Sequence, residues 1–169
     1  LKLVLGGKVV YVDPIQVPKD KADIILLTHS HDDHADAASV KRLGADATVI
    51  APFSWPKGTL LLPGSSLSLH GITIRAVPAW NAKHPKAANW AGYLITYGGA
   101  TVYVAGDTGR IPEMKTFKAN IAIVPLGQTY TMASVDDAVA SVLDVGASIA
   151  HPYHYGMYEG TDADAAAFL

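Results

Sequence analysis

The chain has 169 residues, half of them hydrophobic, which is enough for one hydrophobic core and too few to expect two. The formal net charge is −2, and the 13 Lys and Arg residues are scattered, without the basic stripe typical of nucleic-acid binding. The absence of cysteine excludes disulfides, thiolate metal sites and a cysteine nucleophile. We therefore predict a single domain spanning residues 1–169 that does not bind nucleic acid.

Short runs of β-branched residues and leucine, separated by turn residues, recur along the chain and predict strands. The predicted strands are 3–5, 9–12, 24–28, 48–51, 60–62, 67–69, 72–77, 93–97, 101–105, 121–124 and 148–150. Three two-residue turns, Gly6-Gly7, His70-Gly71 and Gly98-Gly99, predict hairpins between neighbouring runs. Helices are predicted at 35–43, 111–117, 134–145 and after Gly160. This mixture indicates an α/β fold in which helices cover the outer faces of sheets.

No apolar stretch approaches the roughly 20 residues that a membrane-spanning helix needs, and the N-terminus lacks a signal-peptide pattern. We therefore expect a cytoplasmic protein that does not associate with a membrane.

Six consecutive residues after the predicted strand 24–28 include five side chains of the types that bind metals: His29, His31, Asp32, Asp33 and His34. His29 and His31 are two residues apart, so in an extended segment they point the same way. Asp33 and His34 lie where the chain turns towards the next helix. One group can therefore face one metal and the other group a second metal about 3.5–4 Å away, as in two-metal hydrolytic sites.

The segment His29-Ser30-His31-Asp32-Asp33-His34 resembles the HxHxDH signature of the metallo-β-lactamase superfamily. Other segments resemble, in the same order, the UlaG-like branch of its metal-dependent hydrolases. They are Asp13-Pro14, 78–85, Gly92-Tyr93, 105–108, 130–132 and 152–156. The resemblance implies a metallo-β-lactamase-like αββα sandwich of two mixed sheets flanked by helices. The family usually has a further strand at each end, so we expect either a compact variant without these terminal strands or an incomplete chain, and a bare sheet edge would favour a homo-oligomer.

The resemblance also implies a ligand set for two divalent metal ions. The ligands are His29, His31 and His84 for the first metal, Asp33, His34 and His154 for the second, and Asp107 as the bridge. Asp107 follows an apolar run and lies between Gly106 and Gly109, where a tight turn would bring a carboxylate close to two cations. Nitrogen and carboxylate ligands fit zinc best, with manganese and iron as alternatives.

These ligands predict a metal-dependent hydrolase in which a hydroxide bridging two metal ions attacks a small ester-like substrate, a lactone or a phosphoester. Asp33 is the predicted catalytic residue because it would orient that hydroxide. Substrate contacts are predicted for Asn81, Tyr130, Tyr153 and Arg110, although aromatic residues at such positions are as often packing residues.

Other residues near the ligands receive different predictions. His151 is assigned to the core or to a layer behind the ligands, because the segment that matches the family places the ligand at His154. Asp13 is expected to hold the geometry of the ligands, and His70 to be exposed.

Three alternative functions share parts of this pattern. A metal-dependent nuclease or phosphodiesterase acting on nucleic acid would use the same ligands but needs a basic surface or a binding arm. A non-catalytic metal-binding module would show a broken ligand set, whereas all seven positions are filled here. A diiron redox centre of this family has Glu where this chain has His31, which disfavours it.

Overall fold

The computed structural model describes residues 1–157 and 159–169, and within these ranges the chain forms eleven strands arranged in two sheets. The strands of the first sheet lie side by side in chain order: β1 (Lys2–Leu5), β2 (Lys8–Val12), β3 (Ile24–Leu26), β4 (Thr48–Ala51) and β5 (Thr59–Leu60). The second sheet, also in chain order, contains β6 (Ser66–Leu69), β7 (Ile72–Pro78), β8 (Ala91–Tyr97), β9 (Ala100–Val104), β10 (Ile121–Pro125) and β11 (Ile149–Tyr153). Every predicted run forms a strand, with ends that shift by up to three residues.

Both sheets are mixed. In the first sheet β1 pairs antiparallel with β2, and the remaining neighbours are parallel. In the second, β6 to β9 are antiparallel neighbours, and β9, β10 and β11 are parallel. The three predicted hairpins are present, and in Gly98-Gly99 both residues have positive φ, 58° and 83°, as a tight two-residue hairpin turn requires.

Helices cover the outer faces, which confirms the αββα sandwich. Helix α1 (Ala37–Arg42) lies on the first sheet, where Leu43 packs with Ile25 and Leu27. Helices α2 (Val135–Asp144) and α3 (Asp162–Phe168) cover the second sheet. None of the helices in the described ranges is long and apolar enough to cross a membrane.

The predicted helix at 111–117 is instead a short 3₁₀ helix, Pro112–Thr116. The side chains that flank it, Ile111 and Phe117, are each only 2% exposed and anchor both ends in the core. The N-cap residue Ile111 makes no side-chain hydrogen bond to the helix, and the backbone is extended again at Phe117, so only a short 3₁₀ helix forms. A second 3₁₀ helix, Lys86–Ala88, lies in the loop before β8.

An apolar core fills the space between the two sheets. Ile24, Ile74 and Tyr93 are fully buried in it. Strands β2 and β3 are parallel, and so are β9, β10 and β11. The carboxyl ends of parallel neighbours lie at the same edge of a sheet, which is where ligand sites of such sheets occur. The residues that follow β2, β3, β9 and β11 therefore lie together at one end of the sandwich.

Candidate metal centre

The carboxylate of Asp107, which follows β9, lies among three of the predicted histidine ligands. Its Oδ1 is 3.3 Å from Nε2 of His34 and 3.4 Å from Nε2 of His154. Its Oδ2 is 3.7 Å from Nε2 of His29. The two oxygens thus face different histidines, as a carboxylate that bridges two ions requires.

Four buried polar atoms at this point make no hydrogen bond within the described protein, although two of them, Nε2 of His34 and Oδ1 of Asp107, are 3.3 Å apart. These atoms are Nε2 of His29, His34 and His84 and Oδ1 of Asp107. Burying such atoms without a hydrogen bond is costly, so they call for a ligand of another kind. Two groups, His29-His34-Asp107 and Asp33-His34-His154, each place their ligand atoms within 4.8 Å of one another. Converging imidazole nitrogens and carboxylate oxygens fit a divalent metal ion.

The other predicted ligands of the first metal, His31 and His84, lie against His29. The ring centroids are 4.8 Å apart for His29 and His31, 5.2 Å for His31 and His84, and 5.7 Å for His29 and His84. Trp90 packs against all three rings at 4.7–4.8 Å. The structure therefore brings together all seven predicted ligands, and Trp90 backs one group of them.

Asp13 contacts His34 directly and His29 through Thr28, an arrangement that fits its predicted role of holding the ligand geometry. Its Oδ2 lies 2.8 Å from Nδ1 of His34 and accepts the Thr28 hydroxyl at 2.6 Å, while its Oδ1 accepts the Thr28 backbone N–H at 2.8 Å. Because the Thr28 hydroxyl donates to Asp13, it can only accept from Nδ1 of His29, 3.0 Å away. Both histidines thus carry a proton on Nδ1 and can present the lone pair of Nε2 to a metal.

Asn81 was predicted to contact substrate, but its amide is used inside the protein. Its Oδ1 accepts the backbone N–H groups of Lys83 and His84 at 2.8 and 2.9 Å. Its NH₂ group donates to the carbonyl oxygens of Tyr130 and Asp107 at 2.6 and 3.1 Å. Nδ1 of His84 is also 3.1 Å from the carbonyl oxygen of Asp107, so this histidine too presents Nε2. Asn81 is a support of the ligand loop.

Gly106 allows Asp107 to approach the other ligands. Its φ is +67°, and a Cβ at this position would lie 3.1 Å from Cβ of Thr28 and 3.2 Å from the carbonyl oxygen of Ala91. Only glycine combines this backbone conformation with such a close contact. Asp13 and His154 also have positive φ, 45° and 61°, and strained backbone of this kind concentrates at functional sites.

Burial and neighbouring charges move the pKa values of the ligands in different directions. Burial lowers the pKa of His29 to about 3, helped by the charge of His34. Burial also disfavours the His34 imidazolium, but the carboxylates of Asp13 and Asp107 outweigh it and raise the pKa of His34 to about 10. Burial acts against the Asp107 carboxylate, yet His154 and His34 hold its pKa well below the usual range. The metal-free site thus keeps Asp107 ionised and His34 protonated.

Zinc binding should therefore release protons at neutral pH. A metal needs the neutral imidazole of His34, whose pKa of about 10 keeps it charged at pH 7.5 in the metal-free chain. We expect release of about one proton or more per chain, measured by titration calorimetry in buffers of different ionisation enthalpy. The release should diminish as the pH approaches 10, while the affinity for zinc rises. If the heat of zinc binding did not depend on the buffer, His34 would not be protonated in the metal-free chain.

The remaining predicted residues are placed differently from one another. Tyr130 is 51% exposed and lines an open cavity of about 370 Å³ over the ligands. Tyr153 lines a neighbouring, mainly apolar cavity with Val12 and Ile15, and its buried hydroxyl has no partner among the described residues. Arg110 does not line the open cavity. Its Nε donates instead to the carboxylate of Asp144 in α2 at 2.7 Å.

Two further histidines lie at the surface. His70 is exposed in its hairpin turn, as predicted. The prediction for His151 is wrong in one respect. Its side chain is exposed on β11, the edge strand of its sheet, so it is not a core residue.

Glu159 also lines the open cavity. The sequence analysis missed it, since no sequence pattern marks it.

Comparisons with known proteins agree with this architecture. Residues 1–154 match the family profile described as "Beta-lactamase superfamily domain". A UPF0173 metal-dependent hydrolase of Thermoplasma acidophilum is 33% identical over 186 aligned positions, which cover 95% of this chain and 81% of that protein.

Two solved structures are similar to this chain over most of its length. A Parabacteroides distasonis protein, provisionally described as a metal-dependent hydrolase, is 36% identical with a TM-score of 0.82, covering 90% of this chain and 76% of its own. Igni18, a metallo hydrolase of Ignicoccus hospitalis, is 24% identical with a TM-score of 0.77, covering 93% and 79%, and it shows likeness of fold alone. The match over residues 1–154 and the identity to the Thermoplasma protein show that this chain belongs to the β-lactamase superfamily, together with the UPF0173 metal-dependent hydrolases.

Proposed function

We propose that this metal-dependent hydrolase cleaves a small ester-like substrate, a lactone or a phosphoester, at a centre of two divalent metal ions. The observation that carries the proposal is the convergence of Nε2 of His29, His34 and His84 with Asp107 Oδ1 beneath an open cavity of about 370 Å³. All four atoms are buried and make no hydrogen bond in the described structure. A cavity of this size admits a small molecule.

The seven predicted ligands would hold the ions as assigned above, with zinc as the best fit and manganese or iron as alternatives. When bound, two such cations lower the pKa of a water towards neutrality and stabilise negative charge that develops on the substrate. Asp33, whose side chain is 27% exposed, lies 3.8 Å from Nε2 of His34 and lines the cavity. It can accept a hydrogen bond from the attacking water and so orient it.

The charges around the cavity restrict the substrate. Its lining includes the acidic residues Asp32, Asp33, Asp107 and Glu159, and no lysine or arginine of the described chain contributes to it. Only bound cations could then offset negative charge on a substrate. A neutral lactone or a singly charged phosphodiester therefore fits better than a highly charged phosphomonoester.

The same lining disfavours nucleic acid as the substrate. A nuclease gains most of its affinity from phosphate contacts made by Lys and Arg, which this cavity does not offer within residues 1–157 and 159–169. A cytoplasmic location, a homo-oligomeric state and membership of the UlaG-like branch stay predictions.

A comparison of substrates tests this proposal. The protein, reconstituted with zinc or manganese, would be assayed with a lactone, a thioester, a β-lactam, a phosphodiester and a structured RNA. We expect hydrolysis of the lactone or the phosphodiester, its loss on chelation and its recovery when metal is restored. Metal-dependent cleavage of RNA with submicromolar, salt-dependent binding would contradict the proposal.

A further inference from the structure

The loop between β10 and α2 places a tyrosine ring at the mouth of the open cavity. Tyr130 is about half exposed, and its ring centroid lies 6.1 Å from that of His84, with the planes inclined at 32°. The ring is therefore beside the predicted ligands without being packed into the core. An aromatic ring in this position can contact the part of a substrate that projects from the metal centre.

Hydrogen bonds fix the backbone of Tyr130 from two sides. Its N–H donates to Oε1 of Glu159 at 2.8 Å, and the N–H of Thr129 donates to Oε2 of Glu159 at 2.9 Å. On the other side its carbonyl oxygen accepts from Asn81, which also holds the ligand loop at His84. The position of the Tyr130 backbone is thus linked directly to the metal centre.

The structure of the loop accommodates the carboxylate of Glu159. A Cβ at Gly127 would lie 2.9 Å from Oε1 of Glu159 and 2.6 Å from Oγ1 of Thr131, so a larger residue here would force these side chains to shift. Although burial disfavours its charge, the backbone N–H groups of Tyr130 and Thr129 outweigh that effect and lower the pKa of Glu159. Glu159 lies in neither group of converging ligand atoms found among the described residues.

We propose that Glu159 is a positioning residue that holds Tyr130 at the cavity mouth, where the Tyr130 ring favours substrates with an aromatic group next to the scissile ester. This inference rests on the proposed function for the nature of the reaction. Stacking of one ring against another contributes enough to favour the aromatic ligand by about three- to tenfold. The effect should appear in ligand affinity rather than in metal content.

The test compares the binding of two singly charged probes, methyl methylphosphonate and methyl phenylphosphonate, to the zinc-loaded protein by titration calorimetry. The second probe has a phenyl ring where the first has a methyl group. We expect the wild type to bind the phenyl probe about three- to tenfold more tightly. Tyr130→Ala should bring the ratio close to one, and Tyr130→Phe should keep it. Tyr97→Ala, which removes a tyrosine that is 38% exposed at the Gly98-Gly99 hairpin, is the matched control and should leave the ratio unchanged.

Glu159→Ala should lower the ratio as Tyr130→Ala does, with the zinc content unchanged. Glu159→Gln keeps one acceptor oxygen and should therefore retain part of the preference for the phenyl probe. This variant replaces Glu159→Ala in the test if the alanine variant does not fold. A wild-type ratio of one, an unchanged ratio in both Glu159 variants, or loss of zinc from them would overturn the proposal. A preserved phenyl preference in a protein that hydrolyses none of the esters would refute the proposed reaction and leave this inference standing.

Discussion

Replacing Asp107 by alanine should remove both metal ions and reduce hydrolysis by on the order of a thousandfold or more, because its two oxygens face different ligand groups. Oδ1 lies within 3.4 Å of Nε2 of His34 and of His154, and Oδ2 within 3.7 Å of Nε2 of His29. The variant would also lower the pKa of His34, because the Asp107 carboxylate is one of the two that raise it. Metal analysis after reconstitution and an ester hydrolysis assay measure the two effects.

Asp46→Ala is the matched control for this variant, because Asp46 is an exposed carboxylate in the loop before β4. It should keep both the metal content and the activity of the wild type. If Asp107→Ala retained two metals, Asp107 would not be the bridge.

Replacing Asp13 by alanine should weaken zinc binding by about 10- to 100-fold and destabilise the chain by about 3–5 kcal/mol. The Asp13 carboxylate accepts two hydrogen bonds from Thr28 and lies 2.8 Å from Nδ1 of His34, and its side chain is 9% exposed. Removing it leaves these buried groups without a partner and frees the His34 ring to rotate. Denaturant unfolding of the metal-free chain and a zinc titration measure the two losses.

The control for Asp13 is Asp20→Ala, which removes a surface carboxylate that binds Lys2 and Tyr11. We expect this variant to bind zinc with unchanged affinity. Equal weakening by the two substitutions would show that general charge, rather than the contact to His34, controls the affinity for zinc.

The strands and the ligands of the segment 29–34 could be predicted because their signals are local. The buried run Ile24–Leu26 is followed directly by His29, His31 and His34, so a strand and the metal-binding segment after it are read from neighbouring residues. Asp107 is similar, since it follows the apolar strand β9. By contrast, His84 lies in a loop without a regular pattern, and only the resemblance to a family pointed to it.

The residues whose roles were missed or revised depend on partners far away in the sequence. Arg110 pairs with Asp144, 34 residues later, and Asn81 donates to the carbonyl of Tyr130, 49 residues later. Glu159 reaches back 29 residues to the N–H of Tyr130. Local patterns carry no information on these contacts, which arise only when loops from different strands meet at one end of the sandwich.

The metal content of the reconstituted protein tests the two-metal centre most directly. After saturation with zinc or manganese and removal of free metal, we predict two equivalents per wild-type chain. The same is expected for His151→Ala, whose side chain is exposed, and fewer than two for His154→Ala, whose Nε2 lies 3.4 Å from Asp107. No more than one equivalent in the wild type, or loss of metal from His151→Ala while His154→Ala keeps both ions, would contradict the account.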